Sequence, residues 1–192
     1  MKRTLLFCVA ILLTAFPAKA QTAPAPAAPA TPSVSAELAT ELAEYERKAV
    51  RLAEAIPAEK YSWRPGEGVR SIGEVITHIL MTNYSFPGIM GVRAPAGVDV
   101  QGMGKLTEKD KIVAELKTSF EHAKKIVSGF SETELNRMVR PDWSVRRTAM
   151  FMVRHGSEHT GQLIAYARMV GIVPPWTEEA QQRRAQQPAK QQ

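Results

Sequence analysis

Two histidines lie four residues apart in the segment RHGSEHTGQL, at His155 and His159. In an α-helix this spacing puts both side chains on one face, one turn apart, so that both imidazoles can reach the same point. Imidazole nitrogen is a good ligand for divalent transition metals. Gln162 follows at the next turn and is positioned to hydrogen-bond the second nitrogen of a ligand or a bound water. The spacing therefore favours a metal site on this helix.

A third histidine lies on another amphipathic segment. His78 follows Val75 and adjoins Ile79, at the edge of an apolar helical stripe. If its helix packs beside that of His155 and His159, three imidazoles meet. A divalent metal held by three nitrogens keeps a position open for water or substrate, which is typical of catalytic sites. His122, in FEHAKK, is predicted to be solvated and to lie outside the site.

Spacing alone leaves a structural role for these histidines open. A single histidine beside an apolar face is more often a packed residue than a ligand, although two buried imidazoles without partners would cost roughly a few kcal/mol. Gly156 and Gly161 flank the pair, where glycine weakens a helix by about 1 kcal/mol relative to alanine. We expect them to allow close approach of a neighbouring helix or a ligand.

A general base for hydrolysis is harder to identify. Glu74 precedes His78 by one turn and is a candidate, but with Ser71 it also matches a capping box, and both roles stay open. Trp63 and Trp143 are interpreted as loop anchors rather than substrate platforms. The methionines of the last helix are interpreted as core residues, namely Met150, Met152 and Met169.

Four long helices are predicted to position these residues. Apolar residues recur at three- and four-residue intervals in each. The predicted helices run from Leu38 to Ile56, from Ser71 to Phe86, from an N-cap at Thr107 to Phe130, and from Val145 to Val170. The buried stripe of the fourth is predicted to comprise Thr148, Met152, His155, His159, Gln162, Tyr166 and Met169. With no strand predicted, the fold class is an all-α four-helix bundle.

The connections between these helices complete the prediction. Segment 91–106 is predicted to be a long loop, which could span about 50 Å when extended. A twenty-residue helix is only about 30 Å long, so helices two and three can run parallel. Ser131 and Glu134 are predicted to cap a short extra turn, and RPDWS to be a loop.

The two ends of the chain differ in composition from this domain. Residues 1–20 combine an N-terminal Lys-Arg pair, an apolar run and a small-x-small cleavage pattern, and they predict a cleaved signal peptide with periplasmic or secreted localisation. Residues 21–34 are predicted to be an Ala/Pro-rich disordered linker, 35–176 the helical domain, and 177–192 a polar tail. The apolar run is too short for an ordinary membrane span, so no stable membrane insertion is expected after cleavage.

Charge and cysteine content exclude several function classes. The net charge of +6 comes largely from the two ends. It is therefore weak evidence for nucleic-acid binding, which needs basic residues clustered on one face, and no nucleic-acid partner is expected. Cys8, in the predicted signal peptide, is the only cysteine. The mature protein would therefore have no disulfide and no thiol nucleophile.

Three features resemble a known family. They are the segment AIPAEKYSWRPGEGVRSIGEVITHIL, with a Trp-x-Pro loop leading into a helix with one histidine, the segment HGSEHTGQL, and the order of helices between them. Over about Ser35 to Trp176 the chain resembles the DinB/YfiT-like proteins, also called DinB-like metal-dependent hydrolases.

The resemblance implies an up-down-down-up bundle, often a homodimer, with a divalent metal, commonly zinc or nickel, held by His78, His155 and His159. Characterised relatives include thiol-dependent transferases and isomerases that use bacterial low-molecular-weight thiols. Thr160 stands where relatives often have arginine, and export argues against a mainly cytosolic thiol cofactor. The preferred prediction is an exported metal-dependent hydrolase of an unknown small molecule. The alternatives are a non-catalytic metal- or ligand-binding bundle, a metal-free bundle and, least favoured, a thiol-dependent transferase.

Overall fold

The computed structural model describes residues 31–187, and this part of the chain is mostly helical. The helices are α1 (Val34–Ala55), α2 (Ile72–Ile89), α3 (Val100–Met103), α4 (Lys109–Ser128), α5 (Glu132–Asn136), α6 (Val145–Met169) and α7 (Pro175–Gln186). A 3-10 turn (Ala58–Lys60) follows α1, and two short strands, β1 (Met138–Arg140) and β2 (Trp143–Ser144), precede α6. The predicted signal peptide and most of the predicted linker lie outside the described residues.

The core lies between the four long helices. Both α1 and α2 pack against α4 and against α6. The two histidine-bearing helices, α2 and α6, are therefore neighbours, as the sequence predicted. The apolar stripe predicted for α1 is buried along its whole length, at Leu38, Leu42, Tyr45, Ala49, Leu52 and Ile56. Within the described residues, none of the helices is both long enough and apolar enough to cross a membrane.

Capping boxes mark where α2 and α5 begin, whereas α4 begins without a side-chain cap. In the predicted capping box of α2, Glu74 N donates to Ser71 Oγ (3.2 Å) and Ser71 N donates to Glu74 Oε2 (2.6 Å). Ser131 forms the same motif at α5. The predicted N-cap at Thr107 is wrong, because α4 begins at Lys109. The Lys109 ammonium donates to two carbonyl oxygens at the end of α1, and this contact fixes the start of α4.

Two predicted loops contain secondary structure. Segment 91–106 includes α3, where Gly102 N donates to Asp99 Oδ1 (2.9 Å) and the short helix packs against α2. The segment predicted as the RPDWS loop pairs β1 with β2 in antiparallel fashion, so the prediction of no strand is also wrong. Both elements are too short to produce a periodic sequence pattern.

The segment predicted as a polar tail, 177–192, is polar, but it forms helix α7 as far as Gln186. Pro175 occupies the first turn of α7, a position where proline is favoured. Trp176 packs against the core, and Glu179 forms an ion pair with Arg51 of α1. The helical domain therefore continues beyond the predicted boundary at 176.

The buried stripe of α6 is offset from the predicted one. The buried residues are Val145, Thr148, Ala149, Met152, Gly156, Thr160, Leu163, Tyr166 and Ala167. His155 and His159 are only half-buried and lie beside this stripe rather than within it. Met150 and Met169, predicted to be core residues, are 56% and 62% exposed.

Candidate metal centre

The structure brings the three predicted histidines together. His78 comes from α2, and His155 and His159 come from successive turns of α6. The Nε2 atoms of His78 and His155 lie 3.0 Å apart, and one potential ligand nitrogen from each of the three residues lies within 4.8 Å of the others. This donor set of three imidazole nitrogens fits a divalent transition metal.

A hydrogen-bond relay orients His159. Gln162 Nε2 donates to Tyr166 Oη (2.8 Å), which leaves the amide oxygen facing His159. The Nδ1–H of His159 then donates to Gln162 Oε1 over 2.9 Å. This tautomer keeps the lone pair on Nε2, the nitrogen available to a metal. The predicted supporting role of Gln162 thus has a structural basis.

The same relay connects to the loop before α2. The indole of Trp63 packs edge-to-face on the Tyr166 ring, with centroids 5.6 Å apart. Trp143 packs in the same manner on Phe151, at 5.4 Å. Both indoles thus pack on aromatic rings of α6, Trp63 from a loop and Trp143 from β2, and Trp63 also buttresses the residue that holds Gln162.

Burial favours the neutral form of His78 and His155. Desolvation, followed by the positive charge of Arg70 and the neighbouring histidines, lowers the pKa of His78 to about 4. Desolvation and the adjacent His159 lower the pKa of His155. A metal binds only the deprotonated nitrogen. Near neutral pH these two imidazoles are therefore in the form that a metal binds.

Aromatic rings close one side of the cluster. Phe151 lies one turn before His155 and stacks on its ring, with centroids 5.6 Å apart and planes inclined by 15°. Phe86 of α2 meets the same imidazole edge-to-face at 5.5 Å. These rings exclude water from that side and hold the imidazole plane of His155.

A cavity of about 460 Å³ opens beside His78. Its charged lining residues are Arg64, Arg70 and Glu74, and Thr77 and Met81 also contribute. Its volume lies within the range of small-molecule pockets. The half-buried cluster therefore adjoins aromatic rings at His155 and a cavity with charged lining residues at His78.

Glu74, the candidate base, lines this cavity but has other partners. Its Oε2 accepts from the Ser71 backbone and its Oε1 accepts from Arg64 (3.2 Å). The backbone hydrogen bond from Ser71 is the largest cause that lowers the pKa of Glu74. A carboxylate of lowered pKa is a weaker base, so the structure supports the capping role.

The two glycines have different environments. A Cβ atom on Gly156 would lie 2.7 Å from both Cε2 and Oη of Tyr45, and closer still to Cζ. Gly156 therefore allows close packing of α6 on α1. Around Gly161 there is open space, with no atom within 4 Å of such a Cβ. Thr160 is buried and donates to the Gly156 carbonyl oxygen, so its hydroxyl is used within α6.

His122 lies apart from the cluster, as predicted, but it is not fully solvated. Its ring lies 5.0 Å from that of Tyr84, and within residues 31–187 its buried Nε2 has no hydrogen-bond partner. Burial lowers the pKa of His122. The charged neighbours in FEHAKK suggested solvation, but the ring packs against α2.

Two residues beside the site were missed in the sequence. Phe151 precedes His155 by four residues, a spacing at which helical side chains meet. Arg70 precedes the N-cap of α2, and no periodic pattern marks it. The signal for Arg70 was only that basic residues occur in the loop before the His78 helix.

Comparison with known proteins identifies relatives of this fold. The model of the DinB family matches residues 30–191. A DinB-like protein from Bacillus subtilis shares 22% identity, with a TM-score of 0.58 over 71% of this chain and 93% of its own. A DinB-like protein from Bacillus cereus shares 14% identity, with a TM-score of 0.62 over 72% of this chain and 93% of its own. These likenesses show the fold. Curated proteins yield no significant match.

Proposed function

Because the chain belongs to the DinB family, we propose that it is an exported metal-dependent hydrolase acting on a small molecule. The proposed ligands of its zinc or nickel ion are His78, His155 and His159. The observation that carries the proposal is the convergence of three imidazole nitrogens from two helices within 4.8 Å of one another. The hydrogen bond from His159 Nδ1 to Gln162 gives further support, because ligating histidines are commonly oriented in this way.

The chain's own residues supply binding and orientation. A divalent ion, when bound, supplies Lewis acidity for activating water or polarising a substrate oxygen. The relay of Gln162 and Tyr166 holds His159 in one tautomer, and Phe151 holds the ring of His155. The cavity beside His78 provides room for a substrate next to the proposed ligands.

A non-catalytic metal-binding bundle is the second candidate. It is favoured by the hydrogen bonds of Glu74 to Ser71 and Arg64, which occupy the one carboxylate considered as a base. The two functions differ in turnover. A hydrolase would cleave chromogenic esters, amides or phosphoesters only when loaded with metal, whereas a binding module would take up the same metal without cleavage.

We also infer the up-down-down-up arrangement of the four long helices. It is supported by the packing of α1 and α2 each on α4 and α6, and by the long connection that contains α3. Homodimer formation and export remain proposals. Light scattering of the purified protein tests the first, and N-terminal sequencing of protein from the periplasm, with Gln21 expected as the first residue, tests the second.

Metal analysis tests the proposed centre directly. Tag-free mature protein is incubated with zinc, nickel or manganese, desalted and examined by inductively coupled plasma mass spectrometry. We expect about one metal ion per chain in the wild type, and loss of that ion in the His155→Ala/His159→Ala variant. His122→Ala is the matched control, because it removes a histidine outside the cluster. A metal-free wild type, or equal loading of the double variant, would contradict the proposal.

A further inference from the structure

The cavity beside His78 contains an arginine that the proposed metal centre does not use. Arg70 lines this cavity, and it is exposed. Within the described part of the chain, Arg70 forms neither a hydrogen bond nor an ion pair, whereas Arg64 in the same lining has both. Arg70 therefore presents an uncommitted planar cation next to the three histidines.

The remaining charges of the cavity cancel each other. Arg64 Nη2 lies 3.2 Å from Glu74 Oε1, so this pair contributes no net charge. The second oxygen of Glu74 accepts from the Ser71 backbone, which ties the carboxylate to the wall of the cavity. The lining then has one excess positive charge, that of Arg70.

Arg70 and His78 line the same cavity. His78 in turn lies beside the other two histidines, with its Nε2 atom 3.0 Å from that of His155. One anionic group bound at Arg70 would therefore lie on the His78 side of the cluster. At the Arg70 end of the cavity, away from the proposed metal ion, a carboxylate fits better than a phosphate monoester dianion, because one excess positive charge balances one negative charge and Glu74 would repel a second.

We propose that Arg70 binds a carboxylate of the substrate, so that the substrate class is a small carboxylate-bearing molecule whose reacting group faces His78, His155 and His159. The planar guanidinium fork can hold both carboxylate oxygens at once. Thr77 and Met81 supply a polar and an apolar contact for the rest of a molecule in a cavity of about 460 Å³. This inference rests on the proposed function, because the metal anchors the other end of the substrate.

Dicarboxylates provide a probe for this geometry, since one end can bind metal and the other can bind Arg70. The protein is titrated with malonate, succinate and glutarate, and in separate titrations with their monoamides, which have the same size but lack the second charge. The protein is loaded with Co(II), and binding is read from its visible absorption. The measured quantity is the ratio of the affinity of each acid to that of its monoamide. This ratio isolates the contribution of the second carboxylate, because both ligands can bind the metal through the first.

We expect at least one of the three acids to bind about 5- to 10-fold more tightly than its monoamide, as for a charge-assisted hydrogen bond at an exposed residue. Arg70→Gln should reduce this ratio to about one. Arg93→Gln is the matched control, because it removes the same charge from an exposed residue outside the cavity lining, and its ratio should equal that of the wild type.

The outcomes separate the two proposals. Cobalt content is measured before each titration. If the wild type takes up no metal, the proposed function fails, and this inference fails with it. If metal binds and the ratio is the same in wild type and Arg70→Gln, or is near one for all three acids, the carboxylate assignment alone is wrong. Loss of the ratio in Arg93→Gln would likewise overturn it, since a general field effect would then explain the preference.

Discussion

The contact between Gly156 and Tyr45 provides the sharpest test of how α6 packs. Gly156→Ala adds one methyl group at a site where the Cβ would lie 2.7 Å from two atoms of the Tyr45 side chain. The Tyr45 ring cannot move away easily. It is 4% exposed, it packs edge-to-face on Phe120 with centroids 4.7 Å apart, and its hydroxyl donates to Asn83 over 2.7 Å.

The change in the free energy of unfolding combines two destabilising effects and one stabilising effect. Overpacking a core costs about 1–3 kcal/mol. If the ring shifts and its bond to Asn83 breaks, a buried acceptor is left unsatisfied, at about 1–3 kcal/mol. Alanine regains about 1 kcal/mol of helix propensity relative to glycine. We therefore expect a net loss of about 1–5 kcal/mol in the free energy of unfolding, and a Tm lower by roughly 2–20 °C.

Gly161→Ala is the matched control on the same helix. Its Cβ would meet open space, so only the helix propensity changes. Stability should rise by up to about 1 kcal/mol. Urea and thermal unfolding followed by circular dichroism measure both variants. Both are measured with a chelator present, so that metal binding does not alter the apparent stability.

A double-mutant cycle identifies the contact responsible. In a Tyr45→Leu background the ring is absent, and Gly156→Ala should have a much smaller effect or become stabilising. The reasoning would be refuted if Gly156→Ala cost less than about 0.5 kcal/mol in the wild-type background. It would also be refuted by an equal effect of Gly156→Ala in both backgrounds.

Three further predictions concern the histidine cluster. Gln162→Leu should weaken zinc affinity by about 10- to 100-fold, because His159 loses the acceptor that orients it. Competition with a chromophoric chelator measures this affinity, with the exposed Glu158→Gln as the control. Unchanged affinity in Gln162→Leu would exclude the relay. In the metal-free protein the pKa of His78 is lowered from 6.5 to about 4. As the pH falls between these values, the unfolded state takes up a proton at His78 that the folded state does not, so the free energy of unfolding should decrease. Urea unfolding from pH 7.5 to pH 4 should show a smaller decrease in His78→Gln than in the wild type. Zinc at a hundred times its Kd should raise the free energy of unfolding by about 2.7 kcal/mol. A chelator should reverse this rise, and His155→Ala/His159→Ala should not show it. An equal rise in both proteins would place the zinc elsewhere.

Sequence patterns predicted the buried faces of two of the four long helices, α1 and α4. On α1 every residue of the predicted stripe is buried, and the stripe predicted for α4 is buried from Ile112 to Val127. These patterns succeed because one apolar set of residues fits the helical period. The capping box of Ser71 and Glu74 succeeded for a related reason, since all of its hydrogen bonds are local.

The buried face of α6 could not be chosen in this way. One set of positions includes His155 and His159, and another, one residue along, includes Gly156 and Thr160, and both fit a period of 3.6 residues. The choice depends on the Tyr45 ring of α1, which fills the space over Gly156. Tyr45 and Gly156 are distant in sequence, so the residue pattern of α6 alone cannot predict their contact.

The other failures have similar causes. The residues of α7 are mostly polar, and Pro174 and Pro175 are compatible both with the end of one helix and with the start of another. What decides is the packing of Trp176 and the ion pair of Glu179 with Arg51. Sequence patterns do not identify Arg70, because its position in the lining of the cavity depends on how the Trp63 loop packs onto α6.

The packing of α6 and the geometry of the candidate metal centre are consequences of the same arrangement. Successive residues of a helix differ by about 100° around its axis. When Gly156 brings α6 against Tyr45 of α1, His155 is turned toward α2. We therefore expect the close contact of Gly156 with Tyr45 to set how near His155 comes to His78, and the Nε2 atoms of these two histidines lie 3.0 Å apart. This expectation gives a reason for a glycine beside the two histidines of α6.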